Sequence, residues 1–153
     1  MSIGLWVRGA RPKTLVTSIA SVMVGAVMAY VHIERSGTCI AIYPEPASCA
    51  TAREQQTLLM DRFWPVTILC LLVALFLQIA VNYANDYSDG IRGTDAGRDM
   101  DESKSGKPQR LTASGLVPAK HVLFAAMICA AIACICGVVA VVLAQAWWVP
   151  VSY

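Results

Sequence analysis

The sequence predicts an all-α, multi-span transmembrane helical bundle, to which this chain contributes three transmembrane helices. Of its 153 residues, 57% are hydrophobic and only 14% are charged, whereas soluble domains carry about 25% charged residues. The apolar residues are concentrated in three stretches without charge, Leu15 to Val31, Phe63 to Val81 and Val122 to Val149. Because about 20 apolar residues cross the hydrocarbon layer as a helix, we expect one domain over 1–153 with spans at about 14–32, 63–83 and 120–149.

The first span follows a short segment that carries Trp6 and the cations Arg8, Arg11 and Lys13. An aromatic ring and cations suit the headgroup level. Pro12 is predicted to open the span in its first turn, where the missing N–H costs nothing. A charged head before an apolar run also resembles an export signal, but this run is longer than usual and further spans follow it, so we expect it to be retained.

The distribution of lysine and arginine predicts the orientation of the spans. Three lie in residues 1–14, six in residues 82–121 and three in residues 32–62. Under the positive-inside rule, the N-terminus and the 82–121 segment face the cytoplasm of a multi-pass plasma-membrane protein. The net charge of +2 gives no indication of nucleic-acid binding.

The connection at 32–62 is predicted to be a loop, because "YPEPAS" interrupts regular structure with two prolines. A short surface helix is expected from Ala50 to Arg62. Cys39 and Cys49 lie in this outward connection and are candidates for a structural disulfide. The remaining four cysteines lie inside spans without CxxC spacing and are expected to pack as small apolar residues. They are Cys70, Cys129, Cys134 and Cys136.

The end of the second span carries the candidate site, in the stretch "NYANDYSDGIRGTD". If the helix continues into this stretch, four side chains fall within about a 100° arc. They are Asn82, Asn85, Asp86 and Asp89. The two carboxylates repel each other unless a cation lies between them, and Mg²⁺ prefers one or two carboxylates with water and substrate phosphates. Gly90 and Gly93 are expected to end the helix.

The cytoplasmic loop at about 90–119 offers further candidates. Asp95 is a candidate metal ligand, and Lys104, Lys107 and Arg110 could hold the outer oxygens of a diphosphate. The acidic part of the loop lacks the spacing of an EF-hand. The pattern therefore indicates a Mg²⁺-bridged diphosphate at the membrane surface, while a solvated helix end with no ligand is the alternative on spacing alone.

Three stretches resemble the UbiA-type intramembrane prenyltransferases in their order along the chain. They are "ARPKTL" from Ala10 to Leu15, "NYANDYSDGIRGTD" and "PQRLTASGLV" from Pro108 to Val117. The pattern NxxNDxxDxxxGxD is similar to the branch that prenylates 1,4-dihydroxy-2-naphthoate in menaquinone biosynthesis. The resemblance implies a fold of about nine transmembrane helices with a second aspartate-rich motif, which this chain does not contain. We therefore expect the chain to be the front part of such an enzyme, and its activity alone is left open.

The resemblance also implies roles for the site residues. Asn85, Asp86 and Asp89 would be catalytic and hold Mg²⁺, with Asp95 as a weaker ligand. The resemblance implies that Asn82 and Arg110 bind the diphosphate. Lys104 and Lys107 are candidates for the same role because of their charge alone.

The reaction implied is transfer of a polyprenyl group from an allylic diphosphate to the aromatic acid, with loss of CO₂. The partners are then the polyprenyl diphosphate, the aromatic acid acceptor and the lipid bilayer.

Other functions remain as alternatives. The acceptor could be another aromatic compound, or the chain could be a non-enzymatic membrane fragment that binds cations. The CDP-alcohol phosphotransferases also use an aspartate-rich Mg²⁺ site, and their motif resembles DGxxAR. The stretch "DGIRGT" departs from that motif at the alanine and arginine positions.

Overall fold

The computed structural model describes residues 3–36, 46–92, 111–112 and 117–145, and within these ranges it contains helices and no strand. Four helices follow each other along the chain. They are α1 (Ile3–Gly9), α2 (Pro12–Ser36), α3 (Pro46–Arg92) and α4 (Ala119–Gln145). The helices α2, α3 and α4 are each long and apolar enough to cross a membrane. The predicted all-α membrane fold with three spans is confirmed.

The corner between α1 and α2 contains an unusual backbone conformation. Arg11 adopts a φ of 51°, which lies in the left-handed region that favours glycine. Local hydrogen bonds surround this residue: the Ala10 N–H donates to the Trp6 carbonyl at 3.0 Å, and the Thr14 hydroxyl donates to the Arg11 carbonyl at 2.9 Å. As predicted, α2 begins at Pro12.

The helix α3 is longer than the sequence suggested. It spans 47 residues with Pro65 in its interior, which gives it a length of about 70 Å. The prediction of a loop is wrong for residues 32–36, which belong to α2, and for residues 46–49, because Pro46 stands in the first turn of α3, where proline is tolerated. The predicted surface helix from Ala50 to Arg62 is therefore the first part of α3.

The other end of α3 also differs from the prediction. Gly90 lies inside the helix, which ends at Arg92, and Gly93 lies outside the described residues. A single glycine near a helix terminus costs only about 1 kcal/mol relative to alanine, which is too little for Gly90 alone to stop the helix.

Contacts at both ends show that neighbouring spans run in opposite directions. Asn82 of α3 contacts Ala10, at the start of α2, whereas Phe63 of α3 contacts Tyr30, near the end of α2, with ring centroids 5.5 Å apart. The Arg62 Nη1 donates to the Leu143 carbonyl at 3.2 Å, which brings the end of α4 beside the first part of α3. The side of the membrane that each end faces stays a prediction of the charge pattern.

We call the end of the bundle that holds α1, Asp86 and the start of α4 the aspartate end, and the opposite end the distal end. The main buried cluster lies at the aspartate end and is formed by Ala10, Tyr83, Leu111, Val117, Val122 and Ala126. Along the spans, large apolar side chains such as Val24, Ile68 and Val142 are more than half exposed. Such surfaces suit contact with lipid or with further membrane helices.

The described cysteines are divided as the sequence suggested. Cys70, Cys129, Cys134 and Cys136 are free thiols, and Cys49 is disulfide-bonded. The expected partner, Cys39, lies outside the described residues.

Candidate functional site

Asp86 is the most buried of the predicted site residues in the described part of the chain. Only 2% of its surface is exposed, because the α3 helix carries it beneath the segment at Leu111. Its Oδ2 accepts a hydrogen bond from the backbone N–H of Leu111 at 2.9 Å. A carboxylate at this depth is costly unless charged partners or hydrogen bonds offset its desolvation. The structure thus uses one oxygen of this aspartate to hold the chain that leads into α4.

Asn82, one turn earlier on α3, joins the same helix to the α1–α2 corner. It is 3% exposed, and its Nδ2 donates to the Ala10 carbonyl at 2.8 Å and to the Thr14 Oγ1 at 3.0 Å. Both donors of the side-chain amide are therefore used within the protein. This geometry gives Asn82 a structural role, and its predicted contact with a diphosphate stays a prediction.

The polar contacts continue from Asn82 toward the membrane-spanning part of α2. Gln78 donates through Nε2 to the Asn82 Oδ1 at 3.4 Å and accepts at Oε1 from the Ser18 hydroxyl at 3.1 Å. Hydrogen bonds between membrane helices are worth about 0.6 kcal/mol on average. Together these bonds fix the rotation of α3 relative to α2, and hence the direction in which the aspartates point.

The other two residues of the predicted face have different surroundings. Asn85 is exposed and Asp89 is half-buried. The helix does place Asn82, Asn85, Asp86 and Asp89 within one arc, as predicted, but the packing divides this arc. Asn82 and Asp86 face the protein, while Asn85 remains accessible to a ligand.

Tyr83 ties α1 to the same end of α3. Its hydroxyl donates to the Trp6 carbonyl at 2.9 Å, and its ring meets the Trp6 ring edge-to-face with centroids 5.7 Å apart. No role was predicted for Tyr83. An aromatic residue inside a polar motif nevertheless indicates packing against another element.

Gly9 of α1 lies against Leu111, in the segment that precedes α4. A Cβ added to Gly9 would overlap the Leu111 Cδ1, and would lie 2.9 Å from the Leu111 Cγ and 3.2 Å from the Tyr83 Cε1. Leu111 itself is 0% exposed. Neither residue was predicted to matter, because a glycine at a helix end and a leucine in a loop carry no pattern of their own.

The remaining predicted residues cannot be placed. Asp95, Lys104, Lys107 and Arg110 lie outside the described residues. The residue after Leu111 is described, however: the Thr112 hydroxyl oxygen is buried and makes no hydrogen bond to any described residue.

Candidate metal ligands are few in the described part of the chain. Residues 3–36, 46–92, 111–112 and 117–145 contain no group of three or more His, Cys, Asp or Glu that could hold a metal ion. Asp86 and Asp89 are nevertheless one helical turn apart, with the Asn85 amide beside them. This set does not form a closed cage, but it fits the mode in which Mg²⁺ uses one or two carboxylates and completes its shell with water and phosphate oxygens.

The fold and this site define an α-helical, multi-span membrane protein with a carboxylate-bearing helix terminus packed into a small polar core at one end. The chain is homologous to proteins named 1,4-dihydroxy-2-naphthoate octaprenyltransferase, which confirms the branch that its three motifs predicted. The relative from Mycobacterium tuberculosis is 36% identical over 151 residues, which is 99% of this chain and 40% of the relative.

Two further relatives carry the same name. The protein from Mycobacterium leprae is 33% identical over 151 residues, with the same coverage of both chains. The protein from Haemophilus influenzae is 30% identical over 117 residues, covering 76% of this chain and 28% of the relative. The chain thus spans about 40% of the length of the two mycobacterial relatives. No family model matches the chain, and no solved structure matches it.

Proposed function

We propose that this chain forms the first aspartate-bearing part of a Mg²⁺-dependent intramembrane prenyltransferase of the UbiA type. The reaction is transfer of a polyprenyl group from an allylic diphosphate to 1,4-dihydroxy-2-naphthoate, with loss of CO₂, in menaquinone biosynthesis. The observation that carries the proposal is the continuation of α3 through Asp86 and Asp89 to Arg92, in a chain homologous to enzymes with that name.

The position of the carboxylates supports the proposal. Asn85 and Asp89 lie at the end of a helix that crosses the membrane, where a polar head can reach them from the aqueous side, and the buried Asp86 lies beside them on the same helix. A polyprenyl tail attached to that head can lie along apolar helix surfaces such as those of Val24 and Ile68, which are exposed in the structure. A prenyl donor with one charged end and one long apolar end therefore matches a polar helix end that adjoins exposed apolar helix surfaces.

The residues of the chain have separate tasks in this reaction. Asp89 and Asn85 face the ligand side of the helix end, and Asp86 connects that side to the packed core through Leu111. Asn85, Asp86 and Asp89, with Asp95 as a further ligand, would hold Mg²⁺, which neutralises the leaving diphosphate when it is bound. Lys104, Lys107 and Arg110 would contact the outer diphosphate oxygens.

The organic step needs no further group from the described residues. The allylic C–O bond breaks, diphosphate leaves with the bonding electrons, and the electron-rich naphthoate ring forms the new C–C bond as its carboxylate departs as CO₂. Apolar side chains around the reacting carbon would keep water from intercepting the allylic cation.

The proposed orientation follows the charge pattern, with the N-terminus and the aspartate end in the cytoplasm. Single cysteines at Lys13 and Arg53, introduced into a variant without other cysteines, test it with a membrane-impermeant maleimide on intact cells. Labelling is expected at position 53 and absent at position 13. The reverse pattern would invert the orientation.

The activity is tested in membranes that hold the protein containing this chain. They are incubated with labelled polyprenyl diphosphate, Mg²⁺ and 1,4-dihydroxy-2-naphthoate labelled at the carboxyl carbon. Prenylated product and labelled CO₂ are expected to appear in equal amounts, and Asp89→Ala is expected to lower the rate by about 100-fold or more, a loss of at least about 2.7 kcal/mol in transition-state stabilisation.

Asp61→Ala provides the matched control, since Asp61 is an exposed aspartate on the same helix at its distal part. This variant is expected to keep the wild-type rate. Absence of prenylated product with any aromatic acceptor would overturn the enzyme proposal. Product without CO₂ release would keep the prenyltransferase but change the acceptor.

A further inference from the structure

Leu111 is held by two hydrogen bonds of its main chain and by the packing of its side chain. Its N–H donates to the Asp86 Oδ2 at 2.9 Å, and its carbonyl accepts from the Val117 N–H at 3.2 Å. Its side chain is 0% exposed and belongs to the buried cluster with Tyr83 and Val122. A residue fixed by both its backbone groups and its side chain has little freedom to move alone.

Gly9 supplies the space that Leu111 occupies. A Cβ at position 9 would overlap the Leu111 side chain and crowd the Tyr83 ring. Tyr83 is itself fixed by its hydrogen bond to the Trp6 carbonyl. Since the ring cannot retreat without losing that bond, we expect a side chain at position 9 to displace Leu111.

Such a displacement matters because the main chain of Leu111 is hydrogen-bonded to Asp86. The same residue that fills the space at Gly9 donates its N–H to the buried carboxylate. Displacing it by a few tenths of an ångström lengthens a hydrogen bond whose acceptor is 2% exposed. The Gly9 contact and the Asp86 bond are therefore mechanically coupled through one residue.

We propose that Gly9, Leu111 and Asp86 form a positioning element, which fixes the chain at Leu111 against the aspartate helix so that the diphosphate end of the substrate is bound in register with Asp89. In this element Gly9 and Leu111 are positioning residues that act through Asp86. The inference rests on the proposed function, and it adds two residues that the aspartate-rich motif does not contain.

The sequence next to Leu111 explains why its position would matter. Arg110, the predicted diphosphate-binding arginine, directly precedes Leu111 in the sequence, and the Leu111 N–H donates to Asp86. An anchor one residue away limits how far a cation can move from the carboxylates. Preorganisation of a group that contacts a ligand lowers the entropic cost of binding.

Amide hydrogen exchange at Leu111 is the first test, on the protein in lipid nanodiscs without substrate. The Leu111 amide is expected to be protected in the wild type and to exchange about tenfold faster in Gly9→Ala and in Asp86→Ala, because overpacking or loss of the acceptor opens this contact locally. Asp86→Asn is expected to retain protection, since its side-chain oxygen can still accept the bond.

Gly4→Ala is the matched control, because it makes the same change on the same helix and its Cβ would meet nothing within 4 Å. It is expected to leave the exchange of Leu111 unchanged. The amide of Ala133, in the middle of α4, reports on global unfolding. Equal acceleration at Ala133 and Leu111 in Gly9→Ala would overturn the inference, as would unchanged exchange of Leu111 in Asp86→Ala.

Steady-state kinetics with the polyprenyl diphosphate are the second test. Gly9→Ala is expected to raise the KM for the diphosphate by about tenfold, with kcat within about threefold and the KM for the aromatic acceptor unchanged, because only the positioning of the diphosphate end is altered. Gly4→Ala is expected to match the wild type. An active Gly9→Ala enzyme with an unchanged KM for the diphosphate would overturn this inference alone, whereas a wild type without any diphosphate-dependent activity would overturn the proposed function and this inference with it.

Discussion

The two ends of the bundle are built in different ways. At the aspartate end, four parts of the chain meet around Leu111 and Tyr83, and buried polar groups are joined by hydrogen bonds between residues 72 and 77 positions apart. At the distal end, α2 and α3 separate around an apolar groove of about 290 Å³, lined by residues such as Gly25, Ala29, Phe63 and Cys70.

Helix termini at the distal end are joined by exposed hydrogen bonds, beside a smaller buried contact that includes Ile33 and Phe63. Arg62 caps the Leu143 carbonyl of α4, and Gln56 donates to the Glu34 carbonyl of α2 at 3.2 Å. Because exposed hydrogen bonds compete with water, they stabilise less than buried ones. The comparison indicates that fixed geometry is concentrated where the carboxylates lie, and that the distal end tolerates rearrangement.

Leu111→Ala is expected to have the largest effect on stability. Truncating this fully buried leucine should lower the free energy of unfolding by about 2–5 kcal/mol, since a cavity remains in the core. Reversible unfolding in mixed detergent micelles measures the change. Leu58→Ala, at a distal leucine that is 47% exposed, is the control and should cost less than about 1 kcal/mol. Equal losses in the two variants would contradict the difference between the ends.

Asn82→Leu is expected to come next. It removes both donors to the α1–α2 corner, so that the buried Ala10 carbonyl loses its bond from Asn82 and the Gln78 Nε2 loses its acceptor, at a cost of about 1–3 kcal/mol. The same unfolding measurement applies, with Asn85→Leu as the control because Asn85 is exposed on the same helix. A smaller loss in Asn82→Leu than in Asn85→Leu would show that the polar network does not hold the corner.

Tyr83→Phe is expected to cost about 1 kcal/mol, the net value of one hydrogen bond. The ring and its contact with Trp6 stay, so only the bond to the Trp6 carbonyl is lost. Tyr30→Phe is the matched control, since the ring of Tyr30 contacts Phe63 and its hydroxyl makes no hydrogen bond to a described residue. A neutral Tyr83→Phe would indicate that α1 is held by packing alone.

Gly25→Ala is expected to have the smallest effect and the opposite sign. A Cβ at this distal position would meet nothing within 4 Å, and alanine has the better helix propensity by up to about 1 kcal/mol. A small increase in the thermal unfolding midpoint is expected in nanodiscs. A decrease would show that the groove around Gly25 is as closely packed as the contact at Gly9.

Much of the fold follows from local sequence. The three uncharged stretches predicted α2, the membrane-crossing part of α3, and α4, because hydropathy and length act within one segment. Residues 46–49 differ from the predicted loop, because Pro46 opens a helix rather than interrupting one. The tolerance of Pro65 inside α3 depends on neighbouring side chains, which a single segment does not reveal.

The candidate site was predictable only where it depends on helical spacing. The arc of Asn82, Asn85, Asp86 and Asp89 follows from residues within eight positions of each other. The separation of this arc into buried and exposed members depends on Ala10 and Leu111, which are distant in sequence. Every residue except proline has a backbone N–H, so the sequence does not indicate which one binds Asp86. The bond from the Leu111 N–H is seen only in the structure.

The conformation of Arg11 has a consequence for how the aspartate end opens. A non-glycine residue in the left-handed region stores about 1–2 kcal/mol of strain, and here the neighbouring Ala10 carbonyl and Thr14 hydroxyl are both held by Asn82. The corner is thus a strained hinge that the Asn82 amide holds to α3, beside the contacts of Tyr83 and Leu111 with α1. Local unfolding of the bundle is expected to start at this hinge, where releasing one side chain also relaxes the backbone, rather than in the apolar spans.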